Sequence, residues 1–513
     1  MILPAWLEPL FDAEIMRRTD AWAIEHRGIP AAELMERAGQ KLARAVVDLA
    51  PVGPVAILCG RGNNGGDGLV VGRLLRDKGR EVDIWLTSEP AELSPDAQAQ
   101  LSRLPRPAAK LFSSDESAAS LAKATVVVDA LLGTGFSGAP RGAVASAIQA
   151  INDAERLVVA ADVPSGVDAT TGEVNGVAVR ATVTVSFHRG KLGLWIAPGK
   201  THAGSVTVAD IGIPPHAPFE PSAGLISDAV VLELPHRGAA STKFSSGRVV
   251  VVGGSTGLTG APTMAALGAQ RAGAGYVTVA APASLESNFA ARLLEAMFAA
   301  LPGTNGHLGP DALPLALERC RNAGAVVLGP GLGRERDAAR VARRLARELQ
   351  GPLVVDADGL NALNGRLARV LSERSHPTVL TPHTGELARL LEITSSEVDR
   401  RRLHSARCAA DEAKAIVVLK GDDTVVATPD NGFVAVSPGS APGLATAGTG
   451  DVLAGVIAAL LARGLPPDVA ACAGVHLHLR AGQLAADPHG PNAVIASDVI
   501  AALPAAQSLK SSL

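Results

Sequence analysis

The chain is 513 residues long, 47% hydrophobic and 19% charged, with a formal net charge of −3. That length exceeds what one hydrophobic core usually organises, so two or more globular domains are expected and a disordered chain is excluded. The small net charge and 3% aromatic content, with a single Tyr, argue against a nucleic acid or an anionic membrane as partner.

Residues 1–11 hold Pro4, Glu8 and Pro9 and no basic run, so a signal peptide is not expected there. The apolar run at 456–462 is too short to span a bilayer. Cys59, Cys320, Cys408 and Cys472 lie far apart with no CxxC pair. They are expected to be buried small hydrophobes in a reducing compartment, which predicts a soluble cytoplasmic protein.

Residues 12–50 have helical spacing, with Ile15, Thr19, Trp22 and Ile24 followed by Leu34, Ala38 and Leu42. An α/β rhythm then begins. Apolar runs at 55–59, 82–86, 124–129 and 157–162 predict strands, and 69–78 predicts the helix after the first. The rhythm fades after 206–209, and the Pro-rich stretch 213–222 reads as a linker. A second series occupies 248–252, 276–279, 325–328, 353–356, 378–380 and 415–419, with a late helix after Gly450. Such runs, separated by helical stretches, predict parallel sheets covered on both faces. Both halves set glycines and acids just after strands, where open α/β sheets bind ligands, so one site per half is expected.

In the first half, Gly60-Arg61-Gly62-Asn63-Asn64-Gly65-Gly66-Asp67-Gly68 lies between a strand and a helix. Glycines let the backbone turn sharply and bring N–H groups towards a phosphate at a helix N-terminus. A tight structural turn explains the glycines but not two Asn and an Asp among them. No Gly-Lys-Ser/Thr follows, so this is not a Walker loop. Asp129, the loop 133–139 and the segment 162–168 also fall at strand ends. An unpaired buried carboxylate is costly, so an acid ending a buried strand points to function; a helix cap is the plain alternative.

GRGNNGGDG, LLGTGFSG and DVPSGVD, in this order behind LMERAGQ at 34–40, resemble the NAD(P)H-hydrate epimerase family. The likeness covers about the first 210 residues and implies a Rossmann-like three-layer α/β domain over 1–215. Such a domain interconverts the R and S forms of hydrated NADH or NADPH. The resemblance sets Asn63, Asn64, Gly65, Gly66 and Asp67 against the substrate, with Gly133, Thr134, Gly135, Phe136, Ser137, Gly138, Ala139 and Asp162. It gives Asn64, Asp129 and Ser165 to a potassium ion. Asp162 is the expected acid/base at the hydrated carbon, a role that needs a carboxylate near the hydroxyl. His188 and Lys191, in FHRGKLG, stand where the family carries a Lys; His188, beside Arg189, is expected to be solvated.

The second half carries Ala447-Gly448-Thr449-Gly450-Asp451, with an apolar helix expected immediately afterwards. Successive N–H groups at a helix start form an anion hole suited to a transferred phosphoryl group. Asp451 is then placed as general base towards a substrate hydroxyl. The helix start predicts a low pKa for it. The plain alternative is an Asp N-cap between turn glycines. AGTGD resembles the ribokinase-like superfamily, whose members phosphorylate hydroxyls without a Walker loop.

GGS at 253–255 with GAP at 260–262, LGPGLG at 328–333, DADGLN at 356–361, TPHTGE at 381–386 and LKGDDT at 419–424 complete an ordered set. The set is similar to the ADP/ATP-dependent NAD(P)H-hydrate dehydratase family over about 225–505, which implies a ribokinase-like α/β domain over 225–513. Ala261, Gly331, His383 and Asp451 would then contact the hydrated cofactor. Lys420, Gly421, Asp422, Asp423, Thr424 and Gly450 would bind the adenine nucleotide, ADP or ATP, with Mg2+. Read alone, His383 is equally a satisfied loop histidine and KGDDT a polar hairpin turn. The chain departs from the family where Thr242-Lys243-Phe244 replaces His-Lys-Gly, and where Ala441-Pro442-Gly443 replaces Asn-Pro-Gly.

Together the halves imply repair of hydrated NADH and NADPH. An epimerase supplies the S form, and a dehydratase phosphorylates its ring hydroxyl and eliminates, with ADP the expected donor. A homo-oligomer is the expected assembly. AGTGD alone also suits a small-molecule kinase, and decayed sites would leave a non-catalytic nucleotide sensor. TPHTGE and the epimerase-like half argue against the first; Asp162 and Asp451 argue against the second.

Overall fold

Val, Ile and Leu in short unbroken runs suit strands buried on both faces. The computed structural model describes residues 3–488 and 490–508 and realises those runs in two units. Met1, in the stretch weighed as a signal peptide, and the last five residues of the expected second domain lie outside the described residues.

In the unit Pro9–Ala223, parallel strands run in the order Lys110–Leu111, Val82–Leu86, Val55–Cys59, Val126–Ala130, Leu157–Ala161, Val183–Phe187, Ser205–Ala209. The chain order reverses between Val55–Cys59 and Val126–Ala130, the crevice where such sheets bind ligands. Helices Ala13–Glu25, Ala31–Leu49 and Asn63–Asp77 cover one face around Leu42 and Ile57. Ser114–Lys123 and Gly142–Asp153 cover the other around Leu121 and Ile148.

Asn63–Asp77 begins six residues before the expected 69, so the Gly-rich run is itself the helix start. A Cβ at Gly65 would stand 1.9 Å from the Gly60 carbonyl oxygen; glycine lets the helix seat directly on the strand end. The Pro-rich stretch lacks regular pairing, as a linker would, yet it is fastened to this unit. Ile213 is buried in its core and Arg18 lies 4.2 Å over the Phe219 ring. A fragment 9–223 is therefore expected to melt above one ending at Asp210, since each buried Ile contributes about 1.5–3 kcal/mol. Equal melting temperatures would mean that the stretch packs on nothing.

The second unit comprises Gly224 onward with Leu3–Glu8. The Trp6 carbonyl accepts from the Ser227 amide at 3.1 Å, and its ring meets Phe433 edge-on. Parallel strands run in the order Met297–Leu301, Tyr276–Pro282, Arg248–Val252, Ala325–Leu328, Leu353–Val355, Thr378–Leu380, Ile416–Leu419. Val425–Ala427 and Val434–Val436 continue it antiparallel, so the KGDDT segment is a hairpin turn. The helix Thr449–Ala462 starts before Asp451, capped by Gly448 at φ +93°. Asp451 is thus not its N-cap.

Among the described residues no helix is long and apolar enough to cross a membrane. Cys59, Cys320 and Cys472 are buried as expected, but Cys408 is exposed, 3.4 Å from His404 Nε2.

Candidate active sites

A cavity of about 1150 Å³ opens at the switch point of the first unit. Asp129 lies one residue before the end of its strand, fully buried. Its carboxylate accepts from the Ser165 hydroxyl at 2.5 Å, the Ser165 amide at 2.8 Å and the Leu131 amide at 3.2 Å. Burial pushes this carboxyl up to about 6 against the pull of the Ser165 bonds. Asn64 Nδ2 donates to the Leu132 carbonyl at 3.0 Å, and the Leu132 amide donates to Ser165 Oγ at 2.8 Å. Asn64, Asp129 and Ser165 therefore meet around one turn. Asn64 Oδ1 is buried with no hydrogen-bond partner among the described residues. An orphaned acceptor beside a carboxylate and a hydroxyl fits an oxygen-coordinated cation. Among the described residues no group of three or more His, Cys, Asp or Glu could hold a metal ion.

Asp162 sits at φ +65°, a region Asp and Asn tolerate better than other side chains. Its Oδ1 accepts from Lys191 Nζ at 2.5 Å and the Phe187 amide at 3.2 Å. Its Oδ2 accepts from the Thr134 amide at 3.4 Å and, in a short bond, from the Thr134 hydroxyl. Lys191 is completely buried and also donates to the Phe187 carbonyl. Asp67 and Asp20 line the same cavity. Burial and then the charge of Asp162 raise Asp67 well above the usual carboxylate range. Burial raises Asp20 to about 6, with Lys191 opposing.

His188 is not solvated. It is buried edge-on to Phe11, and burial pushes it down to about 4, so it is a neutral core ring. The group that reaches the cavity is Lys191. Asn63, Asn64, Asp67, Gly133, Thr134, Gly135, Phe136 and Ala139 also line it, whereas Gly65, Gly66, Ser137 and Gly138 do not.

In the second unit the expected residues gather at strand ends around a buried pair. Lys420 Nζ donates to Asp356 Oδ1 at 3.0 Å, and the Thr381 hydroxyl donates to the same oxygen at 2.8 Å. Glu386 stands 3.9 Å from the ammonium. Burial pulls Lys420 down, but Asp356, Glu386 and Asp451 carry it above the ordinary lysine value. A Cβ at Gly450 would lie 3.2 Å from Lys420 Nζ, so the ammonium rests on the helix start. Thr449 and Val452 amides bond back to Thr446 and Gly448. The amides of Gly450 and Asp451 are left without a backbone acceptor among the described residues. Two open amides beside an ammonium form an anion cradle.

The low pKa expected for Asp451 is not found. Burial first, then Asp356, Glu386 and Asp358, push it up to about 7 against Lys420. Desolvation and three nearby carboxylates outweigh the helix start. His383 caps the helix Thr384–Leu390: its Nδ1 accepts from the Gly385 amide at 3.0 Å, and Glu386 accepts from its own amide at 2.9 Å. Burial and then Lys420 lower its pKa, which favours the neutral ring, with Nε2 3.6 Å from Glu386 Oε1. Ala261 lies on the first turn of Gly260–Arg271. Gly331 has φ +61°, and a Cβ there would stand 2.2 Å from the Leu258 carbonyl.

The KGDDT turn is fastened from outside by Arg402, which local pattern did not reveal. Its guanidinium donates to buried Asp423 at 2.8 Å, to the Lys420 carbonyl at 3.2 Å and to the Thr384 hydroxyl at 3.1 Å. Asp423 is thus committed to holding the turn. Thr424 Oγ1 closes it by donating to the Gly421 carbonyl at 2.8 Å.

The NAD(P)H-hydrate dehydratase family matches residues 249–505, and the YjeF-related protein N-terminus family matches 31–193. The bifunctional NAD(P)H-hydrate repair enzyme Nnr of Moorella thermoacetica is 42% identical over 510 residues, 96% of either chain. The protein of that name from Salinibacter ruber is 40% identical, covering 97% of this chain and 95% of its own. Among solved structures, the Bacillus subtilis ADP/ATP-dependent NAD(P)H-hydrate dehydratase co-crystallised with ATP/Mg2+ is 28% identical. That alignment covers 54% of this chain and 94% of the other, with a TM-score of 0.47.

Proposed function

The chain belongs to the bifunctional NAD(P)H-hydrate repair enzymes, and from that premise we propose how its two sites divide the work. It is an NAD(P)H-hydrate epimerase in its first half and a nucleotide-dependent dehydratase in its second.

In the epimerase cavity both oxygens of Asp162 are already engaged. The acid/base is therefore the Asp162–Lys191 pair with Thr134, and a proton leaving the substrate hydroxyl is shared across it. Asn64, Asp129 and Ser165 would hold potassium, which supplies a fixed positive charge beside the cavity when bound. Asp129→Ala is expected to cut epimerisation at least tenfold while dehydration persists. Unchanged interconversion of the R and S hydrates would remove the cation site.

In the dehydratase, the observation that carries the reading is Asp451, Lys420 and the two open amides at one helix start. Asp451 accepts the proton of the ring hydroxyl as that oxygen attacks the terminal phosphorus, whose bond to the bridging oxygen breaks and releases the nucleotide one phosphate shorter. Lys420, aligned by Asp356 and Thr381, and the amides of Gly450 and Asp451 hold the phosphoryl charge. Mg2+ travelling with the nucleotide offsets phosphate charge when bound. Loss of the phosphate from the ring, with a proton leaving the adjacent ring carbon, then restores the ring double bond and the reduced cofactor. ADP is the proposed donor, the cytoplasm the proposed location and a homo-oligomer the proposed assembly. The test is donor dependence: recovery of the reduced ring's absorbance from S hydrate with ADP, with ATP and with neither. Recovery without any nucleotide would refute the phosphorylation route.

A further inference from the structure

We propose that a second, arginine-lined pocket beside the dehydratase centre holds a phosphate of the hydrated dinucleotide, an inference that rests on the dehydratase reading above. The pocket has a volume of about 230 Å³ and is lined by Arg334, Arg343, Arg389, Asp358, Asn361 and Asn364. That is room for a phosphate group and not for a whole dinucleotide.

Its charge is unbalanced. Asp358 is the acid in the lining: Oδ2 accepts from the Gly333 amide at 2.9 Å and Oδ1 from Asn361 Nδ2 at 3.2 Å, and Arg334 Nε stands 3.8 Å from Oδ1, so a single carboxylate faces three guanidiniums. Arg343 donates to the Ala362 carbonyl at 3.2 Å, and Arg389 Nε donates to Asn361 Oδ1 at 3.1 Å. Neither bond neutralises a guanidinium. Burial and then the neighbouring Arg366 and Arg340 lower the proton affinity of Arg343, so it faces like charges rather than a carboxylate. Asn364 Oδ1 is buried without a partner among the described residues. Turning that amide would present a donor, the group a phosphate needs. Guanidinium forks suit phosphate oxygens better than any other side chain.

The position suits one end of the proposed substrate. Arg389 lies on the helix that His383 caps, and a Cβ at Gly385 would be 3.7 Å from its Nη1 and 3.0 Å from the His383 ring. Gly333 and Arg334 continue the Gly331 loop. The pocket thus lies next to two residues proposed for the hydrated cofactor, and its Asp358 is near enough to Asp451 to raise its pKa. A ring held at Asp451 would extend its phosphates towards these arginines.

The test is steady-state dehydration by the full chain of the S hydrates of NADH and NADPH, with Arg343→Gln and Arg389→Gln. Each variant should raise KM about tenfold or more, the effect falling on KM rather than kcat, since a charge-assisted bond to phosphate is lost in the bound substrate. A rise for the NADPH hydrate alone assigns the pocket to the 2′-phosphate, and a rise for both assigns it to the pyrophosphate. An unchanged kcat and melting temperature of the second unit report that the dehydratase fold is intact, and Arg343→Lys, which keeps the charge, should recover part of the loss. Unchanged KM for both hydrates in both variants, or a loss confined to kcat, overturns the proposal. If the wild type dehydrates neither hydrate, the dehydratase reading fails by itself. The pocket is then judged by calorimetric titration with pyrophosphate and 2′,5′-ADP. Binding that both Gln variants abolish supports the pocket, and no binding to the wild type sinks it.

Discussion

Replacing Asp451 with Asn is expected to lower dehydration by on the order of 10²–10⁴-fold, the range for loss of a general base. Nucleotide binding should persist, because Lys420 and the open amides of the helix start are untouched. Fold stability should not suffer. Asp451 is not the helix cap, and its folded pKa of about 7 lies above the unfolded carboxylate value. A group shifted that way favours the fold fully below its unfolded pKa and loses that contribution as pH rises through about 7. At pH 8 the Asn variant should therefore melt at or above the wild-type temperature. The same ionisation sets a pH profile. The base must be unprotonated, so kcat/KM for dehydration should climb between pH 6 and pH 8 with an inflection near 7, and the residual rate of the variant should lack that step. A flat wild-type profile would assign the proton to another group.

The second large effect is expected at Asp162. Asn preserves the size and tolerates the positive φ, so Asp162→Asn isolates the charge. It leaves the completely buried Lys191 ammonium without its carboxylate, and breaking a buried pair costs about 3–5 kcal/mol. Epimerisation should fall at least a hundredfold, and the first unit should melt earlier. Lys191→Met in the same chain separates the two effects. With both charges gone, stability should return towards wild type while epimerisation stays lost. A double variant no more stable than Asp162→Asn would mean that Lys191 is not held by Asp162.

Much of this was legible in the sequence because motifs at strand ends announce themselves. GRGNNGGDG and DADGLN set glycines and an acid after apolar strands, and AGTGD sets the same residue types at the start of an apolar helix. What escaped were partnerships across the chain. The resemblance sets Lys191 where the family carries a Lys, but its partner Asp162 lies 29 residues away, and only the fold buries the two together. Arg402 sits in an ordinary Arg-rich helix start, yet it clamps a turn 18 to 21 residues away. His188 was misjudged because its neighbour Arg189 suggests solvent, whereas the turn carries the ring under Phe11. Asp451 was misjudged because a helix start is visible in sequence and three converging carboxylates are not. The strand Met297–Leu301 was missed because its pattern of burial is that of a partly exposed edge.

Complementation tests the central claim, two independent sites in series, most directly. A mixture of R and S hydrates is supplied with ADP, Mg2+ and K+, over a time short against uncatalysed interconversion. Wild type should return all of the reduced cofactor. Asp129→Ala should return the S fraction and then stall, and Asp451→Asn should return almost none. Adding Asp451→Asn protein to the stalled reaction should restart it, because its epimerase half is whole. A stalled reaction that does not restart, or Asp129→Ala protein that consumes both epimers at the wild-type pace, would contradict the account.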